Sequence, residues 1–448
     1  MLVETQNVFP AELVHTTLSR HMLADGFPLV LDMNRSEGLY LYDKLTGKRF
    51  VDFFSFFASS PLGMNHPKMR NDPAFVERLL DAAINKISNS DVYTEHMARF
   101  VDTFSRVGIP PELPHLFLIE GGAAAVENGI KTAIDWKVRK NFAKGYRTEH
   151  GTKVIHFEQA FHGRSGYTMT LTNTDPNKVA LFPKYDWPRV TAPVCNVCET
   201  PEDMARIIEH ENLAIAQLRR HLADYPDDIA AIIIEPIQSE GGDNHFRPEF
   251  LRNLREIADA EDIMLIFDEV QTGVGLTGAF WGYQKFEVTP DIITFGKKMQ
   301  VCGILVGDRV LEVAENVFER ASRINSTWGG NLADMVRADR MLEIIEEDHL
   351  VAQAERVGVH LLHKIKALQQ EFPELVMNPR GVGLMCAFDM PNPEVRDTFR
   401  ARCYGEGLII LGCGSESIRF RPSLIIDEAG VDEGMEIIRN VLVGLTAG

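Results

Sequence analysis

Two adjacent lysines, Lys297 and Lys298, interrupt the apolar stretch "DIITFGKKMQVCGILVG". Lysine is almost never fully buried without a partner, so these surroundings are unusual for two amines. Neighbouring side chains of an extended chain point to opposite faces, and we therefore expect at most one of the two to enter the interior. Taken alone, the pattern favours a strand end at which both amines reach solvent. A buried amine would instead lose its proton more readily and become a nucleophile.

Other residues that could do chemistry also follow apolar, strand-like runs. The run "HLFLIE" is followed by small residues and then a helical pattern, which lets backbone N–H groups approach a phosphate. The residues at these run ends are Gly121, Gly122 and Ala123 after "HLFLIE", Phe161, His162 and Arg164 after "KVIHFE", Glu240 after "AIIIEP", and Asp268, Glu269, Val270 and Gln271 after "IMLIF". Each alone fits a turn, a helix cap or a surface ion pair. Their joint occurrence at strand ends favours one shared site.

The elements that must position these residues alternate along the chain up to about Asn331. Apolar strand-like runs separated by helical patterns indicate a largely parallel, doubly wound sheet, the α/β fold class. In such a sheet, ligands bind at the carboxyl ends of the strands. An early pair of runs predicts a hairpin that turns at Thr46 and Gly47. After Asn331, long amphipathic helices and shorter strands predict a smaller α+β domain.

Composition limits the class of protein. The chain has 448 residues, 45% of them hydrophobic, which is enough for a sizeable core. A net charge of −18 argues against nucleic acid or an anionic membrane as partner. No run approaches the ~20 apolar residues of a membrane helix, and the first residues lack a signal-peptide core, so we expect a soluble, cytoplasmic protein. The C-x-x-C pair Cys195 and Cys198 is interpreted as incidental, and no metal site is predicted.

One glycine motif points to a different class of protein. The stretch "GVGLTG" (273–278) matches the G-x-G-x-x-G pattern of dinucleotide-binding sites. Such a site needs a helix directly after the glycines and an acidic residue at the end of the next strand. The next run, "AFWGYQKFEV", is not followed by that arrangement, because Asp291 begins a strand instead of ending one. We therefore reject a nicotinamide-dependent dehydrogenase.

The set of groups at the strand ends suits pyridoxal 5'-phosphate. This cofactor needs a lysine amine that forms an imine, a cradle for its phosphate, and a carboxylate that keeps its pyridine nitrogen protonated. It also needs flat apolar contacts on both faces of its ring. Lysine ordinarily holds its proton up to pH ~10.4, and burial at the end of an apolar strand lowers that pKa. The sequence thus predicts a pyridoxal-phosphate enzyme.

Eight motifs, spread over nearly the whole chain, are specific enough to indicate a family. They are "FFASSPLGMNHP", "IEGGAAAVENGIK", "AFHGRSGYT", "EPIQSEGGD", "IFDEVQTGVGLTG", "FGKKMQVCG", "NSTWGGN" and "IRFRPSL". Together they resemble the class III, or omega, aminotransferases of fold type I. The resemblance implies a large domain with a mostly parallel seven-stranded sheet, a smaller α+β domain, and a homodimer whose subunits share their active sites.

The resemblance also implies which residues contact the cofactor. In the family, the imine-forming lysine directly follows the glycine or serine that ends this strand, which implies Lys297 and leaves Lys298 as its neighbour. Asp268 is implied to bind the pyridine nitrogen and to be catalytic with Lys297, and His162 is implied to be structural. The other implied contacts are Gln271 at the ring hydroxyl and the substrate, Phe161 and Val270 on the ring faces, and Gly122, Ala123 and the partner subunit's Thr327 at the phosphate.

Two arginines are implied to bind the substrates. Arg164 is expected to bind the α-carboxylate of an L-lysine donor, which leaves the distal amine of the donor at the cofactor. Arg419 is expected to bind the α-carboxylate of 2-oxoglutarate or L-glutamate, with Arg421 as a rival because it points the same way in a strand. Glu240, supported by Asn325, is expected to pair with Arg419 while lysine occupies the site.

The implied reaction transfers the ε-amino group of L-lysine to 2-oxoglutarate in a ping-pong cycle. The product, 2-aminoadipate 6-semialdehyde, is expected to cyclise to a piperideine carboxylate. Two alternatives stay open: another omega-aminotransferase, for ornithine or 4-aminobutyrate, or an aminomutase; and a catalytically silent binding protein of the same fold. Residues 1–70 are expected to contribute to the small domain, 71–332 to form the large cofactor domain, and 333–448 to form the small domain.

Overall fold

The computed structural model describes residues 9–196 and 200–446. In this part of the chain the strands are β1 Tyr40–Tyr42, β2 Arg49–Asp52, β3 His115–Ile119, β4 Lys153–Phe157, β5 Arg189–Val190, β6 Ile229–Ile234, β7 Ile237–Gln238, β8 Asn244–His245, β9 Met264–Asp268, β10 Ile292–Phe295, β11 Cys302–Val306, β12 Met377–Val382, β13 Met385–Asp389, β14 Leu408–Ile409, β15 Leu411–Cys413 and β16 Ser417–Phe420. The α-helices are α1 Val14–Ser19, α2 Ser55–Ala58, α3 Pro67–Arg70, α4 Pro73–Ile84, α5 Glu95–Val107, α6 Gly122–Lys144, α7 Gly166–Leu171, α8 Pro176–Val179, α9 Pro201–Asp224, α10 Pro248–Ala260, α11 Leu332–Glu347, α12 Leu350–Glu371, α13 Pro393–Gly405 and α14 Glu428–Thr446. Short 3-10 turns cover Ala11–Leu13, Gly282–Lys285, Lys297–Met299 and Asp308–Glu312.

The central sheet has seven strands in the order β3-β11-β10-β9-β6-β4-β5. Strand β11 pairs antiparallel with both of its neighbours, and the pairs from β10 to β5 are all parallel. The predicted seven-stranded, mostly parallel α/β sheet is therefore confirmed. This order brings the carboxyl ends of β4, β6, β9 and β10 to one edge of the sheet.

Both faces of this sheet are buried, which explains why its strands are apolar along their whole length. On β9, Ile266 belongs to the core that packs beneath α6, whereas its neighbours Leu265 and Phe267 belong to the core on the opposite face. Side chains alternate in this way along every extended strand. Helix α6 follows β3 directly and packs across β11, β10 and β6.

Three smaller sheets lie outside the central one in the described residues, and the smallest is the antiparallel pair of β7 and β8. Strands β12, β13, β16 and β15 form an antiparallel sheet, and β14 pairs in parallel with β2 of the N-terminal hairpin. The hairpin of β1 and β2 turns at the predicted position. Because β2 pairs with β14, the N-terminal segment contributes to the C-terminal part of the molecule. We propose the division 1–70, 71–332 and 333–448 on this basis.

The short element α2, which follows β2, is a left-handed turn and not a right-handed helix. Four successive non-glycine residues have positive φ angles: Ser55 at 37°, Phe56 at 54°, Phe57 at 59° and Ala58 at 62°. The turn is held from both sides, because the carboxylate of Asp52 accepts hydrogen bonds from the N–H groups of Phe54 and Ser55, and the Ser55 hydroxyl donates to the carbonyl of Arg421. The ring of Phe57 remains 47% exposed.

Three other sequence features can be placed. Residues 273–278 form turns and no helix opens directly after them, in agreement with the rejection of a dinucleotide site. Of the C-x-x-C pair, Cys198 lies outside the described residues. Among the residues described, no helix is long and apolar enough to cross a bilayer, and no group of His, Cys, Asp and Glu side chains is arranged to hold a metal ion.

Candidate active site

A cavity of about 410 Å³ opens at the carboxyl ends of β4, β6, β9 and β10, beside the start of α6. It brings together most of the predicted site residues. These are Gly122, Ala123, Phe161, Arg164, Glu240, Asp268, Val270, Gln271 and Lys297. The strand-end argument therefore located the cavity, because parallel strands end at the same edge of the sheet.

Lys297 faces this cavity from a strained backbone position. It follows β10 in a short 3-10 turn, and its φ angle of 50° lies in the left-handed region. Burial, reinforced by the positive charges of Arg419 and Arg421, lowers the pKa of the Lys297 amine to about 8. A larger fraction of this amine is therefore unprotonated near neutral pH than of an ordinary lysine, and the unprotonated form is the nucleophile.

Lys298 corrects one expectation from the sequence. It is only 3% exposed, and its amine donates a 2.7 Å hydrogen bond to the main-chain carbonyl of Gln271. The simple expectation that both amines reach solvent is wrong for Lys298. The limit of one lysine in the interior holds, because Lys297 is half-buried and lines the cavity, although residues 297–299 form a 3-10 turn and not the extended chain from which that limit was argued. Burial and the charge of Lys297 hold the pKa of the Lys298 amine well below its ordinary value.

Asp268 is held in the cavity wall by three donors. One carboxylate oxygen lies 2.8 Å from Nδ1 of His162, and the other accepts from the Thr294 hydroxyl and the Val270 N–H, both at 3.1 Å. These contacts fix the direction of the carboxylate. His162 is fully buried against this carboxylate, which agrees with the structural role expected for it.

The start of α6 provides a site for an anion. The helix is 23 residues long, and its first N–H groups, at Gly122 and Ala123, lie at the cavity. Such groups have no partner inside a helix and sit at the positive end of its dipole. Gly163 approaches this turn so closely that a Cβ atom there would lie 2.6 Å from the Cβ of Ala123.

Glu240 covers the buried arginine Arg419. One oxygen of its carboxylate lies 3.0 Å from Nη2 of Arg419, and the other accepts a hydrogen bond from Lys178. Although burial raises the pKa of Glu240, Arg419 and Lys178 outweigh burial and hold it below its ordinary value. Nε and Nη1 of Arg419 are buried without a hydrogen-bond partner, so this guanidinium has donors to spare.

Arg421 is fully buried and does not line this cavity. Its two terminal nitrogens donate to both oxygens of Asp243, to the Ser239 hydroxyl and to the carbonyl of Phe420. These donors are committed to the interior. Of the two rival arginines, the geometry therefore favours Arg419 as the carboxylate ligand.

The remaining predicted residues differ in placement. Arg164 is exposed at the cavity mouth, and its guanidinium has no hydrogen bond or ion pair with the residues described. Asn325 and Thr327 are also exposed, but neither lines the cavity. The Asn325 side chain accepts a hydrogen bond from the N–H of Ser326, so the expected support of Glu240 by Asn325 is not present within one chain.

Several residues of the cavity were missed by the sequence reasoning, among them one aromatic and two charged residues. Phe57 comes from the left-handed turn, and its ring centroid lies 5.9 Å from the Lys297 amine. Lys178 belongs to a single-turn helix and has no strand in front of it. Glu235 ends the apolar run of β6, which was a usable signal; burial raises its pKa to about 7, while its oxygens accept from the N–H groups of Phe161 and Ser239.

The residues present fit pyridoxal phosphate. The side-chain oxygen of Gln271 is buried at the cavity without a hydrogen-bond partner, as expected of a group that awaits a ring hydroxyl. Asp268 presents a fixed carboxylate, the start of α6 presents free N–H groups, and Phe161 and Val270 supply apolar walls. Lys297 completes the set with an amine of lowered pKa.

Comparison with known proteins agrees with this chemistry. The sequence pattern of the family "Aminotransferase class-III" matches residues 23–442. The chain is 51% identical to the L-lysine-epsilon aminotransferase of Mycobacterium tuberculosis over 433 residues, which cover 97% of this chain and 96% of that protein. The chain belongs to the class III aminotransferases.

A solved structure and a more distant relative extend the comparison. The lysine aminotransferase of M. tuberculosis in its internal aldimine form superposes with a TM-score of 0.95 at 50% identity, covering 98% of this chain and 100% of that one. A probable mitochondrial 4-aminobutyrate aminotransferase of Caenorhabditis elegans is 30% identical over 438 residues, covering 93% of this chain and 88% of that protein. Class III aminotransferases depend on pyridoxal phosphate. The predicted family, fold type, enzyme class and cofactor are thus confirmed.

Proposed function

We propose that this aminotransferase moves the ε-amino group of L-lysine to 2-oxoglutarate, giving 2-aminoadipate 6-semialdehyde and L-glutamate. The observation that carries the proposal is the pairing of an open cation, Arg164, with a covered one, Arg419. The reacting amine of a lysine donor lies far from its carboxylate. The carboxylate therefore needs a cation at the mouth of the cavity, and any cation near the reacting amine needs a partner from the protein. Relatives named for lysine are also far more similar in sequence than those named for 4-aminobutyrate.

The cofactor contacts follow from the cavity. When bound, pyridoxal phosphate supplies an aldehyde for imine formation and a ring that withdraws electrons from the substrate carbon. Lys297 would hold the aldehyde and, once displaced, its amine would carry the proton that leaves the amine-bearing carbon of the substrate to the former aldehyde carbon. Asp268 would keep the ring nitrogen protonated, while Gln271 would bind the ring hydroxyl. Phe161 and Val270 would enclose the ring, and the N–H groups of Gly122 and Ala123 would bind the phosphate.

The two substrates would use the arginines differently. In the lysine half-reaction, Arg164 would bind the α-carboxylate of the donor while Glu240 stays on Arg419. In the second half-reaction, the α-carboxylate of 2-oxoglutarate or glutamate would take the place of Glu240 on Arg419. The unpartnered Nε and Nη1 atoms of Arg419 are suited to donate hydrogen bonds to that carboxylate.

A homodimer is part of this proposal. The segment that contains Asn325 and Thr327 is exposed and does not line the cavity of its own chain. In a dimer, the partner subunit's Thr327 would bind the phosphate, and the partner subunit's Asn325 would come with it.

A donor screen tests the substrate. Purified holoenzyme is incubated with 2-oxoglutarate and one donor in each reaction. The three donors compared are L-lysine, L-ornithine and 4-aminobutyrate. We expect glutamate to form fastest with lysine, and the cyclised product to be trapped by 2-aminobenzaldehyde and identified by mass. A larger kcat/KM with ornithine or 4-aminobutyrate would replace lysine by that donor.

The Glu240→Ala variant tests the exchange on Arg419. Without Glu240 the lysine half-reaction leaves Arg419 uncovered, so its rate should fall about tenfold, while the glutamate half-reaction keeps its rate or gains. Stopped-flow spectroscopy of the bound cofactor measures each half-reaction separately. Equal losses in both would make Glu240 a structural residue.

A further inference from the structure

Lys178 has no role in the function proposed above, yet it contacts the residue on which that function turns. It lies in α8, and its amine donates a hydrogen bond to Oε1 of Glu240 while Oε2 of the same carboxylate faces Arg419. The amine also lies 5.8 Å from the centroid of the Phe161 ring. Glu240 thus bridges two cations that come from different parts of the chain.

The bridge stands between two cavities. Lys178 and Glu240 line both the active-site cavity and a second one of about 490 Å³, whose other walls include residues of β15 and α13. The side chains of Lys178 and Glu240 are 29% and 25% exposed, whereas that of Arg419 is 3% exposed. Lys178 is therefore the solvent-exposed partner of Glu240, and Arg419 is the buried partner.

This arrangement bears on where Glu240 goes when it leaves Arg419. A carboxylate moved off a buried cation loses a partner while it is still partly desolvated, and a charge in that position is unfavourable. Lys178 already holds the second oxygen, so a rotation of the Glu240 side chain can release Arg419 without leaving the carboxylate unpaired. The chain offers this second partner on the side that faces away from Arg419.

We propose that Lys178 is a positioning residue, which holds Glu240 after the carboxylate of a dicarboxylate substrate has taken Arg419. This inference rests on the proposed exchange at Arg419. It predicts that Lys178 favours binding of 2-oxoglutarate and glutamate, and that it has little effect on lysine. Lys178 acts through Glu240 and touches neither substrate.

The test measures binding as well as rate. Glutarate, an unreactive dicarboxylate of the same chain length as 2-oxoglutarate, is titrated into holoenzyme by calorimetry. Lys178→Met, which keeps length but removes the charge, should weaken glutarate binding about tenfold, intermediate between the effect of an exposed and of a buried ion pair. The KM for 2-oxoglutarate should rise by a similar factor with kcat little changed, and the lysine half-reaction should stay within about twofold. Lys178→Arg should restore most of the affinity.

The decisive control is the same substitution without Glu240. In a Glu240→Ala background, Lys178→Met should leave glutarate affinity unchanged, because there is no carboxylate to hold. A tenfold loss that persists in this background would mean that Lys178 binds the ligand itself and would overturn the proposal. Unchanged glutarate affinity in the single variant, or equal losses in both half-reactions, would overturn it as well.

The outcome also separates this inference from the exchange on which it rests. If Glu240→Ala alone slows both half-reactions equally, the exchange at Arg419 fails. If Glu240→Ala slows only the lysine half-reaction and Lys178→Met has no effect, the exchange stands and only the role of Lys178 is lost.

Discussion

Lys297, which lines the cavity, and Arg419, which pairs with Glu240 of that lining, each have a close neighbour in sequence that is held in the interior. The interior member is committed: Arg421 makes four hydrogen bonds through its terminal nitrogens, and Lys298 donates to a main-chain carbonyl. The cavity member is not, because Arg419 keeps two buried nitrogens without partners, and the Lys297 amine makes no hydrogen bond with the residues described. Residue type alone does not distinguish the members of either pair.

This contrast shows that unused hydrogen-bond donors, more than charge, distinguish the residues that can bind a ligand. A cation whose terminal nitrogens donate to groups of the interior stabilises the fold. A cation with unused donors in a poorly solvated wall destabilises the empty protein and gains its partners only from a ligand. Substitutions of the first kind of cation or its partners should therefore lower stability, and substitutions of the second kind should lower activity or ligand binding.

The largest effect is expected at the lysine pair. Lys297→Ala should reduce turnover by about a thousandfold or more, because both the imine-forming amine and the proton carrier are lost. The visible absorbance of the cofactor imine should disappear, while the cofactor still binds through its phosphate. Lys298→Met is the matched control and should keep the yellow colour and most of the activity. Reversed phenotypes would exchange the two assignments.

The arginine pair should respond in stability. Asp243→Ala leaves Arg421 buried and unpaired, and should lower the free energy of unfolding by about 3–5 kcal/mol. Glu240→Ala removes a carboxylate that is partly exposed, so cavity water can replace it and the loss should be about 1 kcal/mol. Denaturant unfolding of both variants measures the difference. Equal losses would show that the two arginines do not differ in this respect.

Asp268, which lines the cavity, and Asp243, which pairs with Arg421 in the interior, allow the same comparison between two carboxylates. Asp268→Asn keeps the size of the side chain but removes the charge proposed to favour a protonated ring nitrogen, so both half-reactions should slow about a hundredfold. Its effect on the unfolding midpoint should be smaller than that of Asp243→Ala. Near-normal rates in Asp268→Asn would reduce that residue to a partner of His162.

The smallest effect concerns pH and the apoenzyme. The pKa of Lys297 is about 8 in the folded chain and 10.5 ordinarily, so between these values the unfolded chain binds more protons at this site. Stability of the wild-type protein should therefore rise with pH across this window, relative to Lys297→Met. At pH 7 the variant should be more stable by about 1–3 kcal/mol, and the gap should close towards pH 10.5. A gap that does not change with pH would contradict the lowered pKa.

Much of this site could be predicted because strand ends are easy to find in a sequence. Asp268 and Phe161 each follow an apolar run, and a parallel sheet brings such residues together whatever the details of packing. The choice between Arg419 and Arg421 could not be made in this way, since it depends on Asp243, which lies far away in sequence. Lys178 was missed for a similar reason, because its partner Glu240 is distant and its own helix is one turn long.

Local backbone geometry set another limit. The burial of Lys298 depends on a turn whose φ angles cannot be inferred from residue types, since lysine is not a residue that usually adopts positive φ. The positions of Asn325 and Thr327 illustrate a further limit, because a contact supplied by another subunit leaves no pattern in the chain that receives it.

The left-handed turn at Ser55–Ala58 has a cost in conformational energy. Left-handed backbone costs about 1–2 kcal/mol for each residue other than glycine, and four successive residues reach the scale of the whole stability of a typical domain, about 5–15 kcal/mol. None of the four is glycine, which would relieve the strain. The same turn carries Phe57 to within 5.9 Å of the Lys297 amine and 5.8 Å of the Arg419 guanidinium. The fold thus bears a cost in backbone conformation at the turn that holds an aromatic ring beside the two cations.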